Sequence, residues 1–398
     1  MVVENVCGVY IQLMEEFPRT LDLAREAGTR SLFLFGPRQT GKTYLLNRQF
    51  PNSPVYNLLK ADEFLRISQS PQVVREELSA AGDSLRGVPV IIDEIQKMPL
   101  LLDEVHYMIE SLGLTFVLTG SSPRKIVRGG ANLLGGRART RHLFPLVSGE
   151  IPGFDLVRAC NVGTIPSVYG SDDPVEDLKA YCGNYLQQEI QAEGLVRRID
   201  QFSRFLEIAA LVSGELISMD SLSNDAGIAA ATLREYFRIL EDTLIGSMLK
   251  LLGRPVHRKA ISTAKFYLFD VGVCNILAHR GRVEPKSELF GKTFEHFIYN
   301  ELRAYLSYRR DDRPLSFWRD RSGNEVDFII GDNVAIEVKA TTMASDKHAK
   351  GLKRLGEEVP FQHKIIVSCD PKPRSFDTVL VLPYQEFLAR LWGGAYRA

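Results

Sequence analysis

The run Gly36-Pro37-Arg38-Gln39-Thr40-Gly41-Lys42-Thr43 satisfies every constrained position of the phosphate-binding loop G-x-x-x-x-G-K-[ST]. Glycines at both ends let backbone N–H groups close around phosphate oxygens, and a helix starting at the loop adds a favourable dipole. Lys42 would reach the β- and γ-phosphates of ATP, and the Thr43 hydroxyl would hold Mg²⁺. Fifty positions after Thr43 comes Asp93-Glu94. An acid at this place can hold the metal through water, and its neighbour can polarise the attacking water. Asp93 is assigned to the metal and Glu94 to the base.

A third set of polar residues follows in Thr119-Gly120-Ser121-Ser122. Thr119 or Ser121 would sense the γ-phosphate or place the water; the alternative is a capped turn. The stretch from Arg124 to Arg141 holds six basic residues (Arg124, Lys125, Arg128, Arg137, Arg139, Arg141) and no acid. Its glycines make it read as a loop. Arg137 or Arg139 would complete a neighbouring copy's nucleotide site as an arginine finger, contact nucleic acid, or belong to a solvated basic loop.

Far downstream, Glu337-Val338-Lys339 places a carboxylate and an ammonium on the same face of a strand. Asp327 sits on the preceding strand of the same hairpin, and Glu295 lies on an amphipathic helix before it. Carboxylates so arranged can hold Mg²⁺ against a phosphodiester, with the lysine orienting water and stabilising developing charge. The plainer alternative is a strand with alternating surface charge.

The elements that must position these groups are legible in the apolar pattern. Leu32–Phe35, Val88–Ile92 and Thr115–Thr119 read as buried strands, and Lys42–Phe50 as the helix that the loop opens. From 150 to 197 the pattern is mixed, with a helix over Asp173–Glu193 read as a lid or connector. Helices over Arg204–Val212, Ser218–Ala226 and Ala230–Thr243 precede strands Ile245–Leu252 and Lys265–Phe269, the order of a winged helix-turn-helix. The window 230–265 holds seven basic and three acidic residues, a net of +4. Arg234, Arg238, Arg254, Arg258 and Lys259 would contact phosphates of DNA. Ala229, Ala230 and Ala231 begin the third helix where a base reader would carry polar side chains. A packing module between two domains is therefore the competing reading. Leu289–Leu306 is an amphipathic helix, and Asn324–Ile330 with Val334–Ala340 form a hairpin.

Composition is that of a globular chain: 398 residues, 45% hydrophobic, 25% charged, with 49 basic and 49 acidic side chains. Zero net charge confines any nucleic-acid surface to local patches. Cys7, Cys160, Cys182, Cys274 and Cys369 form no C-x-x-C pair, which fits a reducing cytoplasm better than a disulfide framework or zinc site. No apolar stretch reaches the length of a membrane span.

The segments GPRQTGKT, VIIDEIQK, FVLTGSS and NLLGGRART together resemble the AAA-like ATPases of bacteria and archaea that carry a winged helix and a nuclease-like C-terminal domain of unknown function. FWRDRSGNEVDF and AIEVKAT match the C-terminal pattern of that family, and Glu295, Asp327, Glu337 and Lys339 resemble the polar set of the PD-(D/E)XK nuclease fold. The resemblance implies a P-loop α/β core with helices on both faces and the catalytic-glutamate strand inserted in its sheet. It also implies a homo-oligomer at work. The expected division is 1–149 for the ATPase core, 150–197 for the connector, 198–275 for the winged helix and 280–398 for a small α/β nuclease-like domain. The expected ligands are ATP and Mg²⁺, held by 36–43 with Asp93 and Ser121, and a second metal at Glu295, Asp327 and Glu337.

Overall fold

The computed structural model describes residues 17–124, 126, 134–186, 198–253 and 264–397. Lys125, Arg128, Arg254, Arg258, Lys259 and the end of the expected helix Asp173–Glu193 lie outside the described residues.

The first sheet holds five parallel strands: β1 (Ser31–Phe35), β2 (Val55–Asn57), β3 (Val90–Asp93), β4 (Phe116–Gly120) and β5 (Ala138–His142), in the order β2-β3-β4-β1-β5. The period-two alternation of β1 divides its side chains between two cores. Phe33 and Phe35 join Ile92, Leu118, Val105 and Met108 on one face. Leu32 and Leu34 meet Leu45, Leu46 and Val117 on the other. Strands buried on both sides read as continuous apolar runs, which is why β1, β3 and β4 stand out in the sequence. The acid strand β3 is internal, between β2 and β4.

Strand β5 corrects the loop expected through Arg141. Ala138–His142 pairs in full register with Ser31–Phe35 and forms a sheet edge. Charged residues are tolerated there because an edge strand has solvent beside it, and they discourage pairing with another chain. The connector is also broken where one helix was expected. Pro174–Ala180 is helical, with Asp173 capping the Glu176 N–H at 3.4 Å, and is followed by a π-helical segment from Tyr181 to Leu186.

Helices Ile199–Leu211, Met219–Ala226 and Ala230–Asp242 pack around Phe202, Phe205, Tyr236 and Phe237, with ring centroids 4.9–5.4 Å apart. The hairpin that follows, β6 (Gly246–Leu251) and β7 (Ala264–Leu268), does not end a separate module. It joins β8 (Leu315–Arg319), β9 (Glu325–Ile330), β10 (Val334–Lys339), β11 (His363–Ser368), β12 (Arg374–Phe376) and β13 (Val379–Pro383) in one eight-stranded sheet. The junction is the pairing of Lys250 and Leu251 with Ser316 and Phe317. Hydrogen bonding thus runs across the boundary expected near 275–280.

One face of this sheet is covered by helix Glu288–Arg309, 22 residues and about 33 Å long, capped by the Ser287 hydroxyl on the Phe290 N–H at 3.0 Å. Its far end reaches the first sheet: Tyr308 packs against the Leu32–Leu34 core. Helix Lys350–Glu358 covers the other face through Leu352 and Leu355.

Candidate functional sites

The loop after β1 is shaped by backbone requirements. Gln39 and Gly41 take φ of 61° and 87°, and Gly41 directly precedes helix Lys42–Gln49. A Cβ on Gly36 would lie 2.3 Å from the Leu143 carbonyl oxygen, so only glycine lets the loop leave the sheet here. Lys42 is buried and donates to the carbonyls of Gly36 at 2.7 Å and Pro37 at 3.1 Å. Thr40 closes the turn by donating to Pro37 O at 2.9 Å.

Asp93 ends β3 opposite this loop. Thr43 Oγ1 donates to Asp93 Oδ2 at 3.0 Å, and Thr119 Oγ1 donates to Asp93 Oδ1. A hydroxyl and a carboxylate side by side are the hard oxygen donors that Mg²⁺ takes, so the residues present fit that ion. Glu94 adopts φ 63°, and its N–H is held by Thr119 Oγ1 at 3.1 Å. Burial pushes the Glu94 carboxyl above its ordinary range; Lys42 and Arg38 oppose this and Asp93 adds to it. Gln96, which the sequence reading gave no role, donates to Glu94 Oε2 and to Ser121 Oγ at 3.3 Å. Thr119 and Ser121 are therefore braces within the acid strand's surroundings rather than unengaged hydroxyls.

Arg19 is a second residue that no motif signals. Its side chain is 2% exposed and forms an ion pair with Glu150 at 3.0 Å. It donates to the backbone oxygens of Thr40 and Phe144 and, at 3.2 Å, to the Tyr308 hydroxyl. The phosphate loop is thus tied to the long C-terminal helix through one guanidinium.

The basic candidates are engaged within the chain. Arg137 pairs with Glu110. Arg139 and Arg141 converge on buried Glu26 at 2.9 and 2.6 Å, joined by Arg310. Arg124, 5% exposed, docks on Glu235 at 3.3 Å and on Asp242. The helix expected to enter a DNA groove is therefore held on one side by the half that carries the phosphate loop, while Arg234 and Arg238 face solvent.

The second polar set comes together around two lysines. Lys339 Nζ lies 2.6 Å from Glu337 Oε1 and 3.9 Å from Asp327 Oδ2, and Asp327 Oδ2 accepts from the Val338 N–H at 2.8 Å. Glu295 turns to Lys265, 3.1 Å away, and to the Tyr267 hydroxyl at 2.6 Å. Lys265 also meets Glu325 at 2.6 Å. Lys265, one of the seven basic residues of the window 230–265, is buried in this cluster. Lys265 and Tyr267 alternate on one face of β7, and two long polar-tipped side chains in register within an apolar strand are the signal that marks them. Burial, reinforced by Asp327, pushes Glu337 up to about 8. Burial opposes the charge of both lysines, but the surrounding carboxylates outweigh it and hold them above the ordinary range.

The buried Glu337 Oε2 has no hydrogen-bond partner, which suits a cation. The rest of the cluster does not fit the expected three-carboxylate metal site, because ammonium groups interleave the acids. Among the described residues, no group of three or more His, Cys, Asp or Glu is disposed to hold a metal ion. Among the described residues, no helix is long and apolar enough to cross a membrane.

Residues 28–151 match the family model described as an AAA domain. With the five-stranded parallel sheet, this supports a P-loop ATPase domain there. Residues 153–284 and 290–387 match two domains of unknown function, DUF8612 and DUF4143. No curated protein matches the chain. Among solved structures, the chain is similar to a Walker-type ATPase of Pyrococcus abyssi at 15% identity and a TM-score of 0.43, covering 62% of this chain and 90% of that one. It also matches a signal transduction ATPase with numerous domains and a tetratricopeptide repeat sensor, from Pyrococcus horikoshii, at 13% identity and a TM-score of 0.23, covering 72% of this chain and 46% of that one.

Proposed function

We propose that this protein is a Mg²⁺-dependent ATPase whose nucleotide state is passed to its C-terminal half. The observation that carries the reading is the convergence on Asp93 of the Thr43 and Thr119 hydroxyls, with Glu94 held beside it. Thr43 and Asp93 would hold Mg²⁺, which neutralises phosphate oxygens when bound. Lys42 moves its ammonium from the Gly36 and Pro37 carbonyls to the β- and γ-phosphates. Water oxygen attacks the γ-phosphorus, the bond to the ADP oxygen breaks, and the water's proton passes to Glu94. Gln96 keeps that carboxylate aimed. Glu94→Gln tests the assignment: ATP still binds while release of phosphate stops. Continued turnover in that variant overturns it.

Transmission to the C-terminal half is supported by the path from Thr40 O through Arg19 to Tyr308 on the helix that also carries Glu295. A homo-oligomer in which Arg137 or Arg139 releases its own carboxylate and enters a neighbour's site belongs to the same proposal. Arg137→Ala or Arg139→Ala should then slow hydrolysis with ATP affinity intact; equal loss of affinity argues against it. Binding of DNA by Arg234 and Arg238 should be salt-sensitive, and absence of such binding removes it.

A second reading, metal-dependent cleavage of a phosphodiester at Asp327, Glu337 and Lys339, is favoured by the unpartnered Glu337 oxygen beside an ammonium. It requires DNA cleavage with Mg²⁺ or Mn²⁺ that vanishes in Asp327→Ala. Failure to cut any nucleic acid, with and without ATP, leaves an ATP-driven switch on an inert nuclease-like fold.

A further inference from the structure

A cavity of about 210 Å³ opens beside the start of the phosphate loop. This is well above the ~10–15 Å³ that one water needs. Gly36 and Pro37 form one wall, the segment His142–Pro145 after β5 another, and Asn300, Arg303 and Ser307 a third. The last three recur at i, i+3 and i+7, so they form one stripe of helix Glu288–Arg309. No carboxylate lines the cavity among the described residues.

The charge in this cavity is positive. Arg303 donates to a hydroxyl, Ser247 Oγ at 2.7 Å, and its guanidinium lies 5.4 Å over the Phe144 ring. These partners, and the Tyr299 ring 5.9 Å away, are neutral, so the guanidinium keeps its charge for a ligand. Glu241 is near enough for its field to be felt by Arg303, but it is engaged by the Met248 N–H at 3.1 Å. His142 is driven down to about 4 by burial and by Arg303 and Arg141, which keeps the ring neutral. Asn300 and Ser307 add an amide and a hydroxyl donor.

We propose that this cavity binds inorganic phosphate, with Arg303, Asn300 and Ser307 as its donors. Gly36 and Pro37, whose carbonyls hold Lys42, place it at the phosphate end of the nucleotide site. A guanidinium fork and two neutral donors suit a tetrahedral dianion. The proposal rests on the ATPase reading for the origin of the phosphate, while its binding is measurable without turnover. Phosphate held here sits on the helix that carries Glu295, so its departure is a signal the C-terminal half can receive.

Calorimetric titration of inorganic phosphate into the full chain tests the site. The wild type should bind, and Lys42→Ala should bind equally well because Lys42 does not line the cavity. Arg303→Met should lower affinity at least tenfold. Asn300→Asp, which sets a like charge in the cavity without touching the Ser247 and Phe144 contacts, should do the same. Binding that is lost in Lys42→Ala and kept in Arg303→Met and Asn300→Asp overturns the proposal, as does absence of binding in the wild type. Failure of the ATPase reading would show separately, as undiminished hydrolysis by Lys42→Ala.

Discussion

The nucleotide site and the C-terminal acid cluster use the same residue types in opposite ways. At the phosphate loop the hydrogen bonds of the two key charges go to neutral groups: Lys42 donates to two carbonyls, and Asp93 accepts from two hydroxyls. A charged ligand can take over such hydrogen bonds from neutral groups. In the C-terminal cluster the carboxylates of Glu295, Glu325, Glu337 and Asp327 face Lys265 and Lys339 directly. Those groups already stabilise one another in a buried setting, and a metal or phosphodiester must displace that pairing first. The first arrangement is poised for a ligand; the second is closed on itself except at Glu337 Oε2.

The sharpest way to break this contrast is to remove the ammonium that closes the cluster. Lys265→Ala takes the counter-charge from half-buried Glu295 and leaves Glu325 with Arg319 alone, and should cost about 3 kcal/mol of stability. Thermal denaturation with and without Mn²⁺ gives the second half of the test. If Lys265 occupies a cation's place, Mn²⁺ should raise the melting temperature of the variant more than that of the wild type. An unchanged midpoint in Lys265→Ala would mean that the cluster is wet and its ion pairs are dispensable. At the other site, Lys42→Ala should lower ATP hydrolysis on the order of 10²–10³-fold, with a stability cost of about 1–3 kcal/mol because the buried Gly36 and Pro37 carbonyls lose their donor. A larger loss of stability there would show that Lys42 is structural and would erase the distinction.

The two sites were unequally legible. Gly36–Thr43, Asp93 and Glu94 are visible because each lies at the end of an apolar run, so a local pattern specifies both the residue and its place. Asp327, Glu337 and Lys339 are visible for the same reason, within one hairpin. Lys265 entered the sequence reading only as one charge in a basic window, because its partners lie 30 and 60 positions further along the chain and tertiary packing brings them together. Arg19 left no signal at all, since a lone arginine before β1 becomes meaningful only when Glu150 and Tyr308 pack around it. The edge strand β5 was hidden because its side chains alternate charge with small residues and its order comes from backbone pairing with β1.

A smaller effect sharpens the reading of the neutral partners. Thr119→Val keeps the shape of the side chain but removes the donor to Asp93 and the acceptor for the Glu94 N–H. Two buried polar groups lose a partner, a cost of about 1–3 kcal/mol. Hydrolysis should fall through kcat while KM for ATP is little changed, because the loop itself is untouched. A selective rise in KM would instead assign Thr119 to nucleotide binding.

The smallest expected effect lies between the two sites, at Glu301. This carboxylate is buried on the long helix and accepts from the Ser148 N–H at 2.5 Å, the Ser148 hydroxyl at 3.1 Å and Trp392 Nε1 at 2.7 Å. Burial pushes it up to about 7 from an unfolded value of 4.5, and those donors only partly oppose this. A carboxyl raised in the folded state binds more protons there than in the unfolded chain, so its contribution is present below pH 4.5 and lost as pH rises to 7. Wild-type stability should therefore drop by about 1 kcal/mol from this group between pH 6 and pH 7. Glu301→Gln, which cannot ionise, should flatten that part of the profile in denaturant titrations. A variant with the wild-type slope would place the titrating group elsewhere. It would also mean that the helix joining the two sites is anchored through Arg19 and Tyr308 rather than through Ser148.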